Sequence, residues 1–87
     1  TRGCYNVALM YYQGQGVQKN YIKAFELFQK TCNEGYEKSC YNLGVMYRNG
    51  QGVAQNLEKA LALYKQACEQ NISIACKSYG KLRSEMQ

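Results

Sequence analysis

Ser78-Tyr79-Gly80-Lys81 is a run of this 87-residue chain whose residue types match a catalytic signature. It fits S-x-x-K, the arrangement in which penicillin-binding serine enzymes set a lysine one helical turn beyond the nucleophile. Neither S-D-N nor K-T-G accompanies it, and a match to two fixed residues arises readily by chance. The chain has no histidine, so a Ser-His-Asp or Cys-His arrangement is excluded. Its acidic residues, Glu26, Glu34, Glu37, Glu58, Glu69 and Glu85, are scattered along expected solvent faces, with no pair that must share a cleft. No catalytic residue is assigned on this basis. No cofactor is expected either. Gly14-Gln15-Gly16 lacks the third glycine of a G-x-G-x-x-G phosphate loop and follows a helical pattern instead of a strand.

Five cysteines are the other reactive groups: Cys4, Cys32, Cys40, Cys68 and Cys76. That density in a small chain points to disulfides and an oxidising compartment. A metal site is disfavoured, because there is no histidine and no cysteine pair at zinc-ligand spacing.

The cysteines also reveal the elements that carry them. Shifted by 36 positions, Cys4 falls on Cys40, Cys40 on Cys76 and Cys32 on Cys68. Tyr5-Asn6 falls on Tyr41-Asn42, Met10-Tyr11 on Met46-Tyr47, and Gly14-Gln15-Gly16-Val17 on Gly50-Gln51-Gly52-Val53. A fixed period of this size means stacked supersecondary units, each too small to bury its own apolar face.

Each unit reads as two helices. Helix A carries Cys40, Leu43, Gly44 and Tyr47, spaced i, i+3, i+4, i+7, with Cys4, Val7, Ala8 and Tyr11 as the earlier copy. Gly44 and Ala8 are small where a partner helix must come close. Gly14 and Gly50 are expected left-handed caps that end helix A. Asn20 and Asn56 stand where an N-cap opens helix B. Helix B carries Ala60, Leu63, Tyr64, Ala67 and Cys68, with Ala24, Leu27, Phe28, Thr31 and Cys32 as its earlier copy. Gly35 and Asn71 close the two B helices in left-handed conformations. Gly-Gln-Gly-Val is therefore an interhelical turn. The expected organisation is all-α, with repeat 1 over about 1–35, repeat 2 over about 36–71, and a terminal helix over about 72–87.

The run CYNLGVMYRNGQGVAQNLEKALALYKQACEQ resembles the Sel1-like repeat, a relative of the tetratricopeptide repeat. Leu43-Gly44, Met46-Tyr47, the Gly-x-Gly-Val turn, Lys59-Ala60, Leu63-Tyr64 and Ala67 carry the resemblance, which covers essentially the whole chain. It implies a right-handed α/α solenoid of helix hairpins. Common repeats of this type have alanine where Cys32, Cys40, Cys68 and Cys76 stand here. Cysteine at those places is similar to the secreted, cysteine-rich subgroup known from Helicobacter and its relatives. Members of that subgroup have been described as β-lactamases or penicillin binders, so the resemblance also implies a hydrolase alternative that no residue here supports by itself.

Two cysteine pairings are open. One joins Cys32 to Cys40 and Cys68 to Cys76 across the short links between helix pairs; the other joins Cys4 to Cys32 and Cys40 to Cys68 within each pair. Loop entropy does not decide, since closing ~9 residues gives about 2.6 kcal/mol and ~29 residues about 3.6. The tight link at Gly35 leans toward the first scheme, and the resemblance points the same way. Cys4 is then left over. Its partner would stand eight residues earlier, which fits a fragment of a longer array; the abrupt start at Thr1, with no signal peptide in the chain, leads us to expect a mature segment or an excised fragment.

By analogy with tetratricopeptide arrays, the working surface is the concave side lined by A helices. Its residues would be Tyr5, Leu9, Tyr12 and Gln13, then Tyr41, Val45, Arg48 and Asn49, then Lys77 and Lys81. Tyrosine, arginine and amide groups in a groove form a recognition surface for protein or peptide. In the third copy Lys77 replaces Tyr41, Lys81 replaces Val45 and Arg83 replaces Tyr47, so 72–87 reads as a polar C-terminal cap.

Composition narrows the rest. Hydrophobic residues make up 46% and charged ones 20%, which is ordinary globular usage, and 87 residues leave room for one domain at most. The net charge of +5 and the groove cations Arg48, Lys77 and Lys81 favour an acidic partner. No basic run or reading motif points to nucleic acid. No apolar run approaches ~18 residues, so no membrane span is expected. The expected protein is a monomeric, secreted or periplasmic binding module.

Overall fold

Five helices follow one another among the described residues, 2–86 of this computed structural model: α1 (Arg2–Gln13), α2 (Tyr21–Asn33), α3 (Glu37–Asn49), α4 (Leu57–Glu69) and α5 (Ser73–Met86). The outermost positions of the predicted first repeat and cap, Thr1 and Gln87, lie outside these residues. Each helix packs chiefly against its neighbours in sequence, α1 on α2, α2 on α3, α3 on α4 and α4 on α5. The result is an all-α helical repeat solenoid, 38 × 24 × 18 Å.

The punctuation follows the chemistry of the turn residues. Asn20 Oδ1 accepts from the Lys23 amide at 3.0 Å, and Asn56 Oδ1 accepts from the Lys59 amide at 3.1 Å. Each amide group thus satisfies an orphan donor at a helix start. Gly14, Gly50 and Asn71 adopt the left-handed backbone at φ of 72°, 67° and 68°.

The core falls into two clusters along the array. Ala8, Ala24, Phe28, Cys32, Cys40, Leu43 and Met46 form one cluster, and Ala60, Tyr64 and Leu82 form the next. Gly44 is the close approach expected of it: a Cβ there would lie 2.8 Å from Cε1 of Tyr64. The equivalent pair in the first repeat, Ala8 and Phe28, is fully buried.

Equivalent positions are not packed alike in every repeat. Val7 is 41% exposed and Met10 37%, although their copies Leu43 and Met46 are buried. The cause is position: α3 is packed on both sides, by α2 and α4, whereas α1 packs mainly on α2. Gly80 does not copy the packing role of Gly44, because nothing lies within 4 Å of where its Cβ would be. In α5 the buried residues are Ala75 and Leu82, the copies of buried Ser39 and Met46, while Cys76, the copy of buried Cys40, is exposed.

Disulfides join Cys32 to Cys40 and Cys68 to Cys76, with Cα–Cα distances of 4.8 and 4.6 Å. Cys4 is free and half-buried. Each bond ties the end of a B helix to the start of the next A helix. The two junctions differ in the polar residues they bury. Thr31 and Ser39 are fully buried at the first, with their hydroxyls hydrogen-bonded to each other, and Thr31 Oγ1 also lies 3.0 Å from the Leu27 carbonyl. Their copies at the second junction are Ala67 and Ala75. Thr31→Ala alone is expected to cost about 1–3 kcal/mol, because it strands the buried Ser39 hydroxyl. Thr31→Ala with Ser39→Ala recreates the alanine junction and should cost less than the sum of the singles; denaturant melts of the four proteins check this.

Candidate functional site

The A helices α1, α3 and α5 lie side by side and are joined by side chains one repeat apart. Asn42 Nδ2 donates to the Tyr5 hydroxyl at 3.2 Å, and Tyr12 donates to Gln51 Oε1 at 2.8 Å. One repeat on, the Tyr41 hydroxyl and Ser78 Oγ are 3.4 Å apart. Arg48 Nη2 donates to both oxygens of Glu85, at 2.9 and 3.3 Å. Tyr41 is the copy of Tyr5 and Ser78 the copy of Asn42, so the same contact is made twice.

This repetition accounts for Ser78-Tyr79-Gly80-Lys81. Ser78 stands where the two earlier copies have Asn6 and Asn42, and its hydroxyl meets Tyr41. Among the described residues Lys81 makes no hydrogen bond to it. The serine is a helix-to-helix contact, and the geometry lends nothing to its use as a nucleophile.

Four of the ten predicted surface residues converge. Tyr41, Val45, Arg48 and Lys81 line a cleft of about 200 Å³ between α3, α4 and α5, together with Tyr64 and Ser78. Tyr5, Leu9 and Tyr12 are half-buried at the junction of α1 with its neighbours. Tyr5 meets Phe28 and Tyr36, with ring centroids 5.9 and 4.8 Å away, and Tyr12 meets Tyr21 at 5.4 Å. Gln13, Asn49 and Lys77 are exposed outside the cleft.

Burial raises the Tyr64 phenol to about 12, helped by neighbouring Tyr41 and opposed by Arg48. Burial also raises the Tyr12 phenol. A phenol whose folded pKa exceeds its ordinary value of about 10 stabilises the fold fully below pH ~10 and loses that contribution as pH rises toward ~12. Stability is therefore expected to fall by about 2 kcal/mol from Tyr64 across that window. Melts at pH 9 and 11.5 in a Cys4→Ser background, which removes the free thiol, should show a shallower decline for Tyr64→Phe.

Sequence reasoning missed several members of this face. The 36-residue register already placed Ser78 on Asn42 and Glu85 on Asn49; Glu85 is exposed, as expected, but it also pairs with Arg48, which spacing did not show. Tyr64 was read as core alone. A larger cavity, about 500 Å³, was not anticipated. It lies between α2 and α4 and is lined by Gln29, Cys32, Leu43, Tyr47, Leu63 and Gln66 among others, none of them predicted surface residues.

Among the described residues no helix is long and apolar enough to cross a membrane. The two disulfides suit an extracytoplasmic setting.

Comparison with known proteins agrees with this architecture. The Sel1 repeat family matches residues 1–36 and again 37–72. A Sel1 repeat protein from Oxalobacter formigenes is 32% identical with a TM-score of 0.91, over 97% of this chain and 35% of that one. A protective antigen of uropathogenic Escherichia coli with an SLR fold is 31% identical with a TM-score of 0.88, over 93% of this chain and 17% of that one. Helicobacter pylori cysteine rich protein B is 29% identical with a TM-score of 0.80, over 87% of this chain and 57% of that one. The chain thus spans between about a sixth and just over half of these structures. No curated protein matches it in sequence. Two tandem matches, the repeated turn and the cysteine-stapled junctions lead to one conclusion: the chain belongs to the Sel1 repeat family, whose repeats typically mediate protein–protein interaction.

Proposed function

We propose that this chain is a binding module of a secreted or periplasmic protein, in an adaptor or host-interaction role. It recognises a protein or peptide through the face formed by α1, α3 and α5, and it acts as a monomer. The terminal helix serves as a polar cap behind two repeats, over about 1–35 and 36–71. The observation that carries this reading is the A-helix face itself. It presents Tyr41, Val45, Arg48 and Lys81 around one cleft, with Lys77 beside them, in a chain of net charge +5. Aromatic and cationic groups together are what a recognition surface uses, and the charge favours an acidic partner.

The test uses synthetic peptides of graded charge. Acidic peptides should bind, and their affinity should fall as salt is raised from 50 to 500 mM, because exposed charges are screened beyond about one Debye length. Lys77→Glu with Lys81→Glu, both at exposed sites, should weaken acidic-peptide binding by at least about fivefold and flatten its salt dependence. Equal binding of neutral and acidic peptides, indifferent to salt and to this double change, would contradict the acidic-partner reading.

A further inference from the structure

Tyr64 is 2% exposed, yet its hydroxyl hydrogen-bonds to no described residue. That oxygen is not sealed in the core, since no fully buried side-chain oxygen lacks a partner. It belongs to a residue that lines the cleft with Tyr41, Arg48 and Lys81. A buried ring that ends in an unpaired hydroxyl at a cleft wall is a donor held in place for something that enters.

The other groups around it share that character. Lys81 lines the cleft and forms no ion pair among the described residues. Arg48 uses one terminal nitrogen, Nη2, on Glu85 and shows no partner for its remaining side-chain nitrogens. Tyr41 and Ser78 add two hydroxyls, paired loosely with each other at 3.4 Å. Glu85 is the acidic group at this site, and its carboxylate is already held by Arg48. The volume of about 200 Å³ equals roughly seven water molecules at ~30 Å³ each, enough for a carboxylate and a short stem.

We propose that the cleft between α3, α4 and α5 is a carboxylate site, in which Tyr64, Lys81 and Arg48 take the C-terminal carboxylate or an acidic side chain of a peptide. Glu85 marks the chemistry and competes for it: the chain's own carboxylate occupies Arg48, and an incoming one meets Arg48 on its free nitrogens or displaces Glu85. Arginine presents several donors in a fixed fork, so it can serve two carboxylate oxygens at once. The proposal rests on the reading of the A-helix face as the binding surface and names the group that this face recognises.

The test uses three Gly/Ser octapeptides carrying a neutral fluorophore. One has a free C-terminal carboxylate, one is amidated with an internal glutamate, and one is amidated with no acidic residue. Fluorescence anisotropy at constant ionic strength should show binding of a carboxylate-bearing peptide and none of the neutral one. The first two arms tell the terminal carboxylate from the side chain. Tyr64→Phe and Lys81→Gln should each weaken that binding about tenfold, the usual worth of a hydrogen bond to a charged group. Glu85→Gln should strengthen it severalfold by removing the internal competitor. The Tyr64→Phe protein is expected to fold, because the lost hydroxyl has no partner inside the chain, and circular dichroism confirms it.

Equal binding of all three peptides, or full binding by a folded Tyr64→Phe protein, overturns the site. If that binding still depends on Lys77 and Tyr41, the A-helix face survives as the binding surface. Sodium acetate supplies the converse: if it shifts the Tyr64 ring signals in NMR while no peptide binds, the carboxylate site stands and the peptide-binding reading falls. Inorganic phosphate displacing a peptide more strongly than acetate at equal ionic strength overturns the assignment to carboxylate.

Discussion

Replacing Cys32 and Cys40 together by alanine is expected to lower the melting temperature by roughly 10–20 °C. Closing a loop of ~9 residues accounts for about 2.6 kcal/mol through the unfolded state. Both cysteines are buried, at 9% and 0% exposure, so their removal also leaves unfilled space in the first core cluster. The second bond differs in its surroundings. Cys76 is exposed and Cys68 half-buried, and the bond anchors the terminal helix alone. Cys68→Ala with Cys76→Ala should therefore cost less, near the loop term only. Access also governs reduction, since a thiolate must reach a sulfur to exchange with it. Stepwise reduction with peptide mapping should open Cys68–Cys76 first and Cys32–Cys40 last, with Cys4 alkylated from the outset. A larger loss from the second pair, or simultaneous reduction of both, would contradict this account of the junctions.

Gly52→Ala should destabilise by about 3 kcal/mol or more, whereas Gly16→Ala, at the same place in the same motif, should cost about 1 kcal/mol. Both glycines are left-handed, at φ of 73° and 76°, so an alanine at either meets the same backbone penalty. Their neighbours differ. A Cβ on Gly52 would lie 2.6 Å from the Tyr21 carbonyl oxygen and 3.0 Å from the Ile22 nitrogen, at the start of α2. Backbone atoms there cannot turn aside. A Cβ on Gly16 would meet the terminal methyl of Met10 at 3.5 Å, an ordinary contact with a flexible side chain. The second turn is wedged against the preceding repeat, and the first turn is not. Urea unfolding of the two variants makes the comparison directly; equal losses would show that the wedge carries no weight.

These two cases also show what could be read from the chain in advance. Spacing alone placed the turns, the asparagine caps and both helices of each unit, because a left-handed glycine or an N-cap is decided by a few neighbouring residues. The cysteine pairing needed more than spacing, since both schemes set the sulfurs at the same end of antiparallel helices. The difference between Gly16 and Gly52 was invisible, because it depends on which repeat stands behind the turn. The same holds for Val7 against Leu43 and for Met10 against Met46, identical in register but packed on different numbers of sides.

The candidate site was legible in part for the same reason. Arg48, Tyr41, Val45 and Lys81 follow from helix register. Tyr64 could not be placed there, because its ring belongs to the core, packed against Gly44, and it borders the cleft from α4. Glu85 was hidden by its register partners, Gln13 and Asn49, which are uncharged.

The claim on which the functional account depends is that partners meet the A helices, and the larger cavity between α2 and α4 makes this a real choice between two faces. Amide and methyl chemical-shift mapping with an acidic peptide decides it. The account predicts shifts at Tyr41, Val45, Ser78 and Lys81, with Gln29, Leu63 and Gln66 unmoved. Shifts gathered at Gln29, Leu63 and Gln66, with the A-helix residues silent, would contradict it.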